Sequence, residues 1–166
     1  DDRGVIYAMW RNALEGDRDM FIAKSDDAGE TFSAATKLGK GNWKLNACPM
    51  DGGFLALAPS RQVTTIWRRQ NDIFLSKWDG RAEQRLGTGQ QPWAAANADG
   101  AFYVWLSRRP GDLQLSTPGA QRPTKLASDA TDPVIAAPRT GRGPVVAVWE
   151  TGRNPNTSIM AAVIVE

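Results

Sequence analysis

The feature that most restricts the fold of this chain is a repeated run of strand-forming residues that ends in tryptophan. The run occurs four times, at residues 5–10, 63–67, 101–105 and 145–149. Successive tryptophans are 57, 38 and 44 residues apart, and a period of about 40 residues is typical of propeller blades and other repeat folds. The pattern predicts a fold of equivalent β-units, with several Trp rings filling the space between them.

Each unit has a second, third and fourth strand-like segment in a constant order. We denote the Trp run strand B, and a polar loop and a short apolar run, strand C, follow it at residues 20–23, 73–75, 113–115 and 158–161. Strand D, which places Leu at the same point each time, is predicted at residues 35–39, 83–87 and 123–127. Strand A precedes the Trp run at residues 53–58, 92–96 and 133–137. The first unit lacks an A strand and the fourth lacks a clear D strand.

The turns favour antiparallel pairing of these strands. Asp79-Gly80 joins C to D in the second unit and Asp99-Gly100 joins A to B in the third. Asp-Gly is typical of type I′ hairpin turns, which need positive φ at both central residues. A β-sandwich with chance Trp spacing is the alternative, but the recurring order favours a β-propeller. We predict one all-β domain over residues 1–166, with blades at approximately 1–45, 46–89, 90–130 and 131–166.

Composition excludes several kinds of chemistry. The chain has no His and one Cys, so it cannot hold a Ser-His-Asp triad, a Cys-His pair, a His-ligated metal or an internal disulfide. We therefore expect no metal and no cofactor. The charge is nearly balanced, with 20 Lys and Arg against 18 Asp and Glu, which gives no case for nucleic acid or a membrane surface as a partner. No apolar run approaches the ~18 residues of a membrane span.

Residues 25–32 carry a specific motif in the predicted C-to-D turn of the first unit. They read Ser-Asp-Asp-Ala-Gly-Glu-Thr-Phe and resemble the Asp-box, S-x-D-x-G-x-T-[FW], of sialidases and related propellers. Asp27 is expected to accept bonds from turn N–H groups, Gly29 to take positive φ, and the Ser25 and Thr31 hydroxyls to add local bonds. Phe32 is expected to plug into the blade.

The resemblance to sialidase-like (Asp-box, BNR-repeat) propellers implies more than the fold. Such propellers have six blades, so four would form part of a ring that further blades or another copy would complete. Exo-sialidases of the family use three Arg, a Tyr-Glu pair and an Asp. No Arg-Ile-Pro motif is present, and the two tyrosines, Tyr7 and Tyr103, lie in B strands where packing is the expected role. Catalytic residues are thus not assigned, and export to the periplasm or beyond is implied by resemblance alone, since residues 1–4 do not resemble a signal peptide.

Arginines in the loops that follow the Trp runs indicate a ligand face. In a propeller the B-to-C and D-to-A loops open on one face, and Arg is present in every B-to-C loop: Arg11, Arg18, Arg68, Arg69, Arg108, Arg109 and Arg153. Such guanidinium groups can bind carboxylate, sulfate or phosphate by paired hydrogen bonds. The alternative, that these arginines solvate exposed loops, is equally compatible with the sequence.

Carboxylates share this predicted face. Loop carboxylates occur at Glu15, Asp17, Asp19, Asp72, Asp112 and Glu150. A pair of them could serve glycoside hydrolysis, although solvation or pairing with Arg is the commoner role. Asp51 lies in the segment Cys-Pro-Met-Asp-Gly-Gly at 48–53; it is either an acid/base or ligand contact or a cap for the Gly-Gly turn. Cys48, without a His to activate it, is expected to be a small buried hydrophobe rather than a reactive thiol.

These observations predict a sialidase-like propeller that binds an anionic or glycan ligand through Arg11, Arg68, Arg69, Arg108, Arg109, Arg153 and Asp51. An exo-sialidase or other glycoside hydrolase with catalytic residues partly outside this chain is the first alternative. A protein-interaction scaffold that uses the same face is the second.

Overall fold

A computed structural model describes residues 1–165 as an all-β chain of antiparallel sheets. In that range the strands number thirteen, and one 3₁₀ turn lies at Leu14–Gly16. None of the described residues form a helix of the length and apolar character that crossing a membrane requires. The sequence-based expectation of an all-β fold is therefore confirmed.

The first two sheets follow chain order. The first sheet contains β1 (Ile6–Arg11), β2 (Met20–Ser25) and β3 (Thr36–Lys37), side by side. The second contains β4 (Phe54–Leu57), β5 (Val63–Arg69), β6 (Asp72–Lys77) and β7 (Gln84–Thr88) in the same consecutive order. The predicted B-C-D and A-B-C-D segments thus coincide with these strands to within a few residues.

The third sheet joins the last two predicted units through one long strand. Its strands, in spatial order, are β8 (Gln90–Asn97), β9 (Gly100–Leu106), β10 (Gly111–Ser116), β11 (Thr124–Ala136), β12 (Val145–Arg153) and β13 (Asn156–Val165). The first half of β11 pairs with β10 and the second half pairs with β12. Because β11 also packs against β8 at the far edge of the same sheet, the sheet is curled.

Three of the four repeated tryptophans are buried. Trp67, Trp105 and Trp149 each belong to one of three separate apolar clusters, which lie between and within the sheets. Trp10 differs, because it is 37% exposed and stacks on Phe21 with ring centroids 6.2 Å apart. Each of these three rings therefore contributes a large apolar surface to one cluster.

The two Asp-Gly turns connect the expected strands but are not type I′. Gly80 and Gly100 have positive φ (68° and 131°), whereas Asp79 and Asp99 are not among the residues with positive φ. Asn97 supplies the reason in the second turn, because its side-chain oxygen accepts from the N–H of Asp99 at 2.8 Å. That bond closes an Asx turn without left-handed geometry at the Asp.

The segment that resembles an Asp-box forms a self-bonded turn after β2. Asp27 accepts from the Ser25 hydroxyl at 2.6 Å, the Thr31 N–H at 2.9 Å and the Thr31 hydroxyl at 2.5 Å, and Gly29 has φ of 97°. The hydrogen bonds from Ser25 and Thr31 lower the pKa of Asp27 from 3.8 to about 2. One expectation is wrong: Phe32 is 47% exposed and does not pack into the sheet. It belongs to residues 31–35, which connect the turn to β3 and are not part of a strand.

Candidate functional site

A cavity of about 350 Å³ lies where β4 and β8 begin, beside the second half of β11. Its walls come from three separate chain segments: residues 50–54, 91–93 and 132–134. Phe54, at the start of β4, lies opposite Ile66 near the end of β5. The start of β4 therefore lies at the same end of its sheet as Arg68 and Arg69, the last two residues of β5.

Asp51 is the most buried charged group of this cavity. Its side chain is 5% exposed, and its Oδ2 accepts from Arg68 Nη1 at 3.0 Å and from the Gln91 N–H at 3.0 Å. Its Oδ1 is also buried and has no hydrogen-bond partner among the described residues. The expected cap on the Gly-Gly turn is not formed, because the carboxylate reaches across to β8 and to the end of β5 instead.

Gln91 and Asp132 complete the polar side of the cavity. Gln91 Nε2 donates to Asp132 Oδ1 at 2.6 Å, and Arg109 Nη2 contacts Asp132 Oδ2 at 2.5 Å. The bond from Arg109, and secondarily that from Gln91, lowers the pKa of Asp132. Both residues have left-handed backbone (φ 50° and 48°) although each precedes a proline. Left-handed backbone is unfavourable for a non-glycine residue before proline, and such strain is concentrated at functional sites.

Arg11 and Arg68 form a braced pair beside Asp51. Their guanidinium carbons lie 5.1 and 5.2 Å from the ring centroid of the buried Trp43. Arg11 donates to the carbonyls of Arg18 at 2.5 Å and Arg68 at 3.1 Å, and burial lowers its pKa. These contacts hold Arg68 in line with Asp51, so Trp43 supports the site although no motif in the sequence marks it.

The remaining predicted arginines are divided between other contacts. Arg69 forms a bidentate ion pair with Glu83, with Nη1–Oε2 and Nη2–Oε1 distances of 2.6 and 2.9 Å, and its guanidinium group lies over the Phe74 ring. Arg108 lines, with Arg68, a separate cavity of about 210 Å³ between the ends of β5 and β9. Arg153 is an exposed residue at the end of β12 and has no ion pair within residues 1–165. The arginines predicted to bind a ligand are therefore not gathered around one cavity.

The loop carboxylates are mostly paired. Asp19 is buried, contacts Lys37 Nζ at 2.7 Å and accepts from the Trp43 N–H at 2.9 Å. Asp72 pairs with Arg85 at 2.8 Å on the surface. Both carboxylates are therefore paired with basic side chains, the role that the sequence favoured for loop carboxylates. Within residues 1–165, no group of three Asp, Glu, Cys or His side chains is placed to hold a metal ion.

Cys48 is exposed, so the expectation of a buried thiol is wrong. The segment that carries it, between β3 and β4, has almost no regular strand and lies over the surface. Small size and apolar character do not bury a side chain where the backbone forms no packed layer.

Sequence reasoning missed Gln91, Asp132 and Trp93 as cavity residues. A signal was present, because Gln91 and Asp132 each directly precede the proline that opens an A strand, and Trp93 directly follows one. No protein-family model matches the chain, and a search of curated proteins finds no significantly similar sequence. Functional inference therefore depends on the geometry of this cavity.

Proposed function

We propose that the three sheets are four successive blades of a sialidase-like β-propeller. In this arrangement β11 supplies strand D of the third blade with its first half and strand A of the fourth with its second half. Support comes from β8, which packs against β4 on one side and β11 on the other, as inner strands do around a propeller axis. The self-bonded turn at residues 25–32, at the opposite end of β2 from the ligand face, adds the motif of that family.

We infer that the cavity at the A-strand starts binds a glycan. The single observation that carries this inference is that Asp51, Gln91 and Asp132, from three successive units, converge on one cavity beside Trp93. Carboxylate and amide oxygens accept bonds from sugar hydroxyls, and an aromatic face packs against the apolar face of a sugar ring. Trp93 is only partly buried and stacks on Phe54, so its ring has area available for a ligand.

The arginines of the site have a supporting role in this proposal. Arg68 and Arg109 are engaged by Asp51 and Asp132, so each arginine fixes the position of a carboxylate that contacts the ligand. Arginines committed in this way have less capacity for a free anion. Between the two ligand classes predicted from sequence, a glycan is therefore favoured over a simple anion.

Binding of defined oligosaccharides, measured by calorimetry, tests the proposal. Trp93→Ala should weaken binding about tenfold or more, the range expected for a buried aromatic contact. Trp78→Ala is the control, because Trp78 also presents part of its ring to solvent but lies in the turn after β6, at the other end of the sheet. Equal losses in both variants, or no binding of any oligosaccharide by the wild type, would contradict the assignment of the cavity.

A glycoside hydrolase is the second candidate. Asp51 and Asp132 line one cavity, and Gln91 links them through its N–H and its side-chain amide. Two carboxylates flanking a bound sugar are the usual requirement for glycosidic bond cleavage, with one as acid and the other as nucleophile or base. Turnover of fluorogenic glycosides that is lost in Asp51→Asn and Asp132→Asn would support hydrolysis, whereas binding without turnover would leave a binding module.

A further inference from the structure

The charges that line the cavity are of one sign. Among residues 1–165, Asp51 and Asp132 are the only ionisable residues that line it, and no Lys or Arg of that range does. Arg68 and Arg109 bond to these carboxylates but do not themselves form part of the cavity wall. A ligand that enters therefore meets carboxylate acceptors that Arg68 and Arg109 hold from behind, and a ligand carboxylate would find no basic side chain on the wall to donate to it.

One of these acceptors still needs a donor. Asp51 Oδ1 is buried and has no hydrogen-bond partner within residues 1–165, although the Asp51 side chain as a whole is 5% exposed. An ionised oxygen that has lost water and gained no hydrogen bond carries a free-energy cost that a donor can remove. A donor with a positive charge removes it most effectively, because charge-assisted bonds to carboxylates are the stronger ones.

The apolar wall fits the same chemistry. Trp93 and Phe54 lie face against face, with ring centroids 3.5 Å apart and planes inclined by 30°, and both rings line the cavity with the two carboxylates. Aromatic faces attract ammonium groups through their quadrupole as well as packing against sugar rings. One cavity thus combines two aromatic rings with a carboxylate, Asp51, that has one oxygen without a donor in the described part of the chain.

We infer that the sugar bound here is an amino sugar with a free, protonated amine, and that acidic sugars are disfavoured. This inference rests on the proposed glycan binding and names its substrate class. The whole chain has a formal net charge of +2, so non-specific attraction would favour an anionic sugar. A preference for an amine must therefore come from Asp51 and Asp132 locally.

Three oligosaccharides of matched length test the inference by calorimetry at pH 6: a glucosamine tetramer, its fully N-acetylated counterpart and a uronic acid tetramer. The glucosamine tetramer should bind about tenfold more tightly than the acetylated one, the effect of one charge-assisted bond, and the uronic acid tetramer most weakly. Asp51→Asn should remove the preference for the free amine, because it replaces the carboxylate whose Oδ1 lacks a donor among the described residues. Asp132→Asn, at a partly exposed carboxylate already bonded by Gln91 and Arg109, should reduce the preference less, and circular dichroism checks that both variants fold.

Asp72→Asn serves as the control, because Asp72 is a surface carboxylate paired with Arg85 outside the cavity; the preference should persist in this variant. Equal affinity for the amine and the acetylated tetramer, or tighter binding of the uronic acid tetramer, would overturn the inference while leaving glycan binding in place. Failure of all three to bind would overturn the proposed glycan binding as well.

Discussion

Gln91 and Asp132 bond to each other in both directions across two neighbouring units. Gln91 Nε2 donates to Asp132 Oδ1 at 2.6 Å, and the Asp132 N–H donates to Gln91 Oε1 at 3.4 Å. Each residue has left-handed backbone directly before a proline, Gln91 near the start of β8 and Asp132 within β11. These two hydrogen bonds orient both side chains and compensate for an unfavourable backbone conformation. Gln91 therefore connects the two carboxylates of the cavity, since its N–H also donates to Asp51.

This relationship makes the titration of Asp132 a readout of the site. Its pKa is lowered first by Arg109 and to a smaller extent by Gln91. Arg109→Ala should therefore raise the pKa of Asp132 more than Gln91→Ala does, while neither should move that of Asp72. NMR chemical shifts of the carboxyl carbons of Asp132 and Asp72, followed against pH in wild type and both variants, measure these pKa values. A larger rise in Gln91→Ala would show that the amide, rather than the guanidinium, dominates.

Loss of the Asp51 carboxylate should destabilise the fold. Asp51→Ala removes one partner of a pair whose side chains are 5% and 20% exposed, and it leaves the Gln91 N–H without its acceptor. We expect a loss of about 2–3 kcal/mol, less than for a fully buried pair because Arg68 retains some solvent. Asp72→Ala, on the surface, should cost less than about 1 kcal/mol. Urea unfolding compares them, and similar losses would argue against a special role for Asp51.

Replacement by alanine should lower the stability of the fold at Gly53 but not at Gly52. A Cβ on Gly53 would lie 2.9 Å from the Ile66 carbonyl oxygen and would also meet the Met9 side chain, whereas a Cβ on Gly52 meets nothing within 4 Å. Gly53→Ala should cost about 1–3 kcal/mol by forcing β4 away from β5. Gly52→Ala should stay within about 0.5 kcal/mol of wild type. Thermal unfolding distinguishes them, and a neutral Gly53→Ala would mean that β4 shifts without cost.

Acid should weaken the turn after β2. The pKa of Asp27 is about 2 in the folded chain against an ordinary value of 3.8, so its stabilising contribution is present above 3.8 and lost as the pH falls toward 2. The stability of Asp27→Asn should change less with pH over that interval than that of wild type. Chemical denaturation at several pH values gives the two curves. Parallel curves would indicate that the bonds to Ser25 and Thr31 do not favour the charged carboxylate.

Sequence predicted the strands well because each one is marked by a local pattern. The Trp runs, the Leu positions and the prolines that open β-segments are read within a few residues of the chain, and β5, β9 and β12 begin within one residue of their predicted starts. The Asp27 turn is also local, since all its bonds join residues no more than four apart. Prediction from sequence succeeds where the contacts that determine the structure join residues only a few positions apart.

The cavity could be predicted only in part because its contacts span much larger separations. Asp51 was identified from its place in the chain, but its partner Gln91 lies 40 residues later and Asp132 another 41. Gln91 is neutral and has no motif of its own. The arginines show the same limit, since nothing local indicates that Arg69 is engaged by Glu83 while Arg68 turns toward Asp51.

The shared strand β11 determines how this protein can be divided. Its thirteen residues belong to two neighbours at once, and the boundary predicted between residues 130 and 131 falls inside it. A truncation at that boundary would cut a continuous strand beside Ala130, the residue that pairs with both Gly111 of β10 and Thr151 of β12. The third and fourth units therefore share one strand, and a cut at the sequence repeat would create new strand ends inside the sheet.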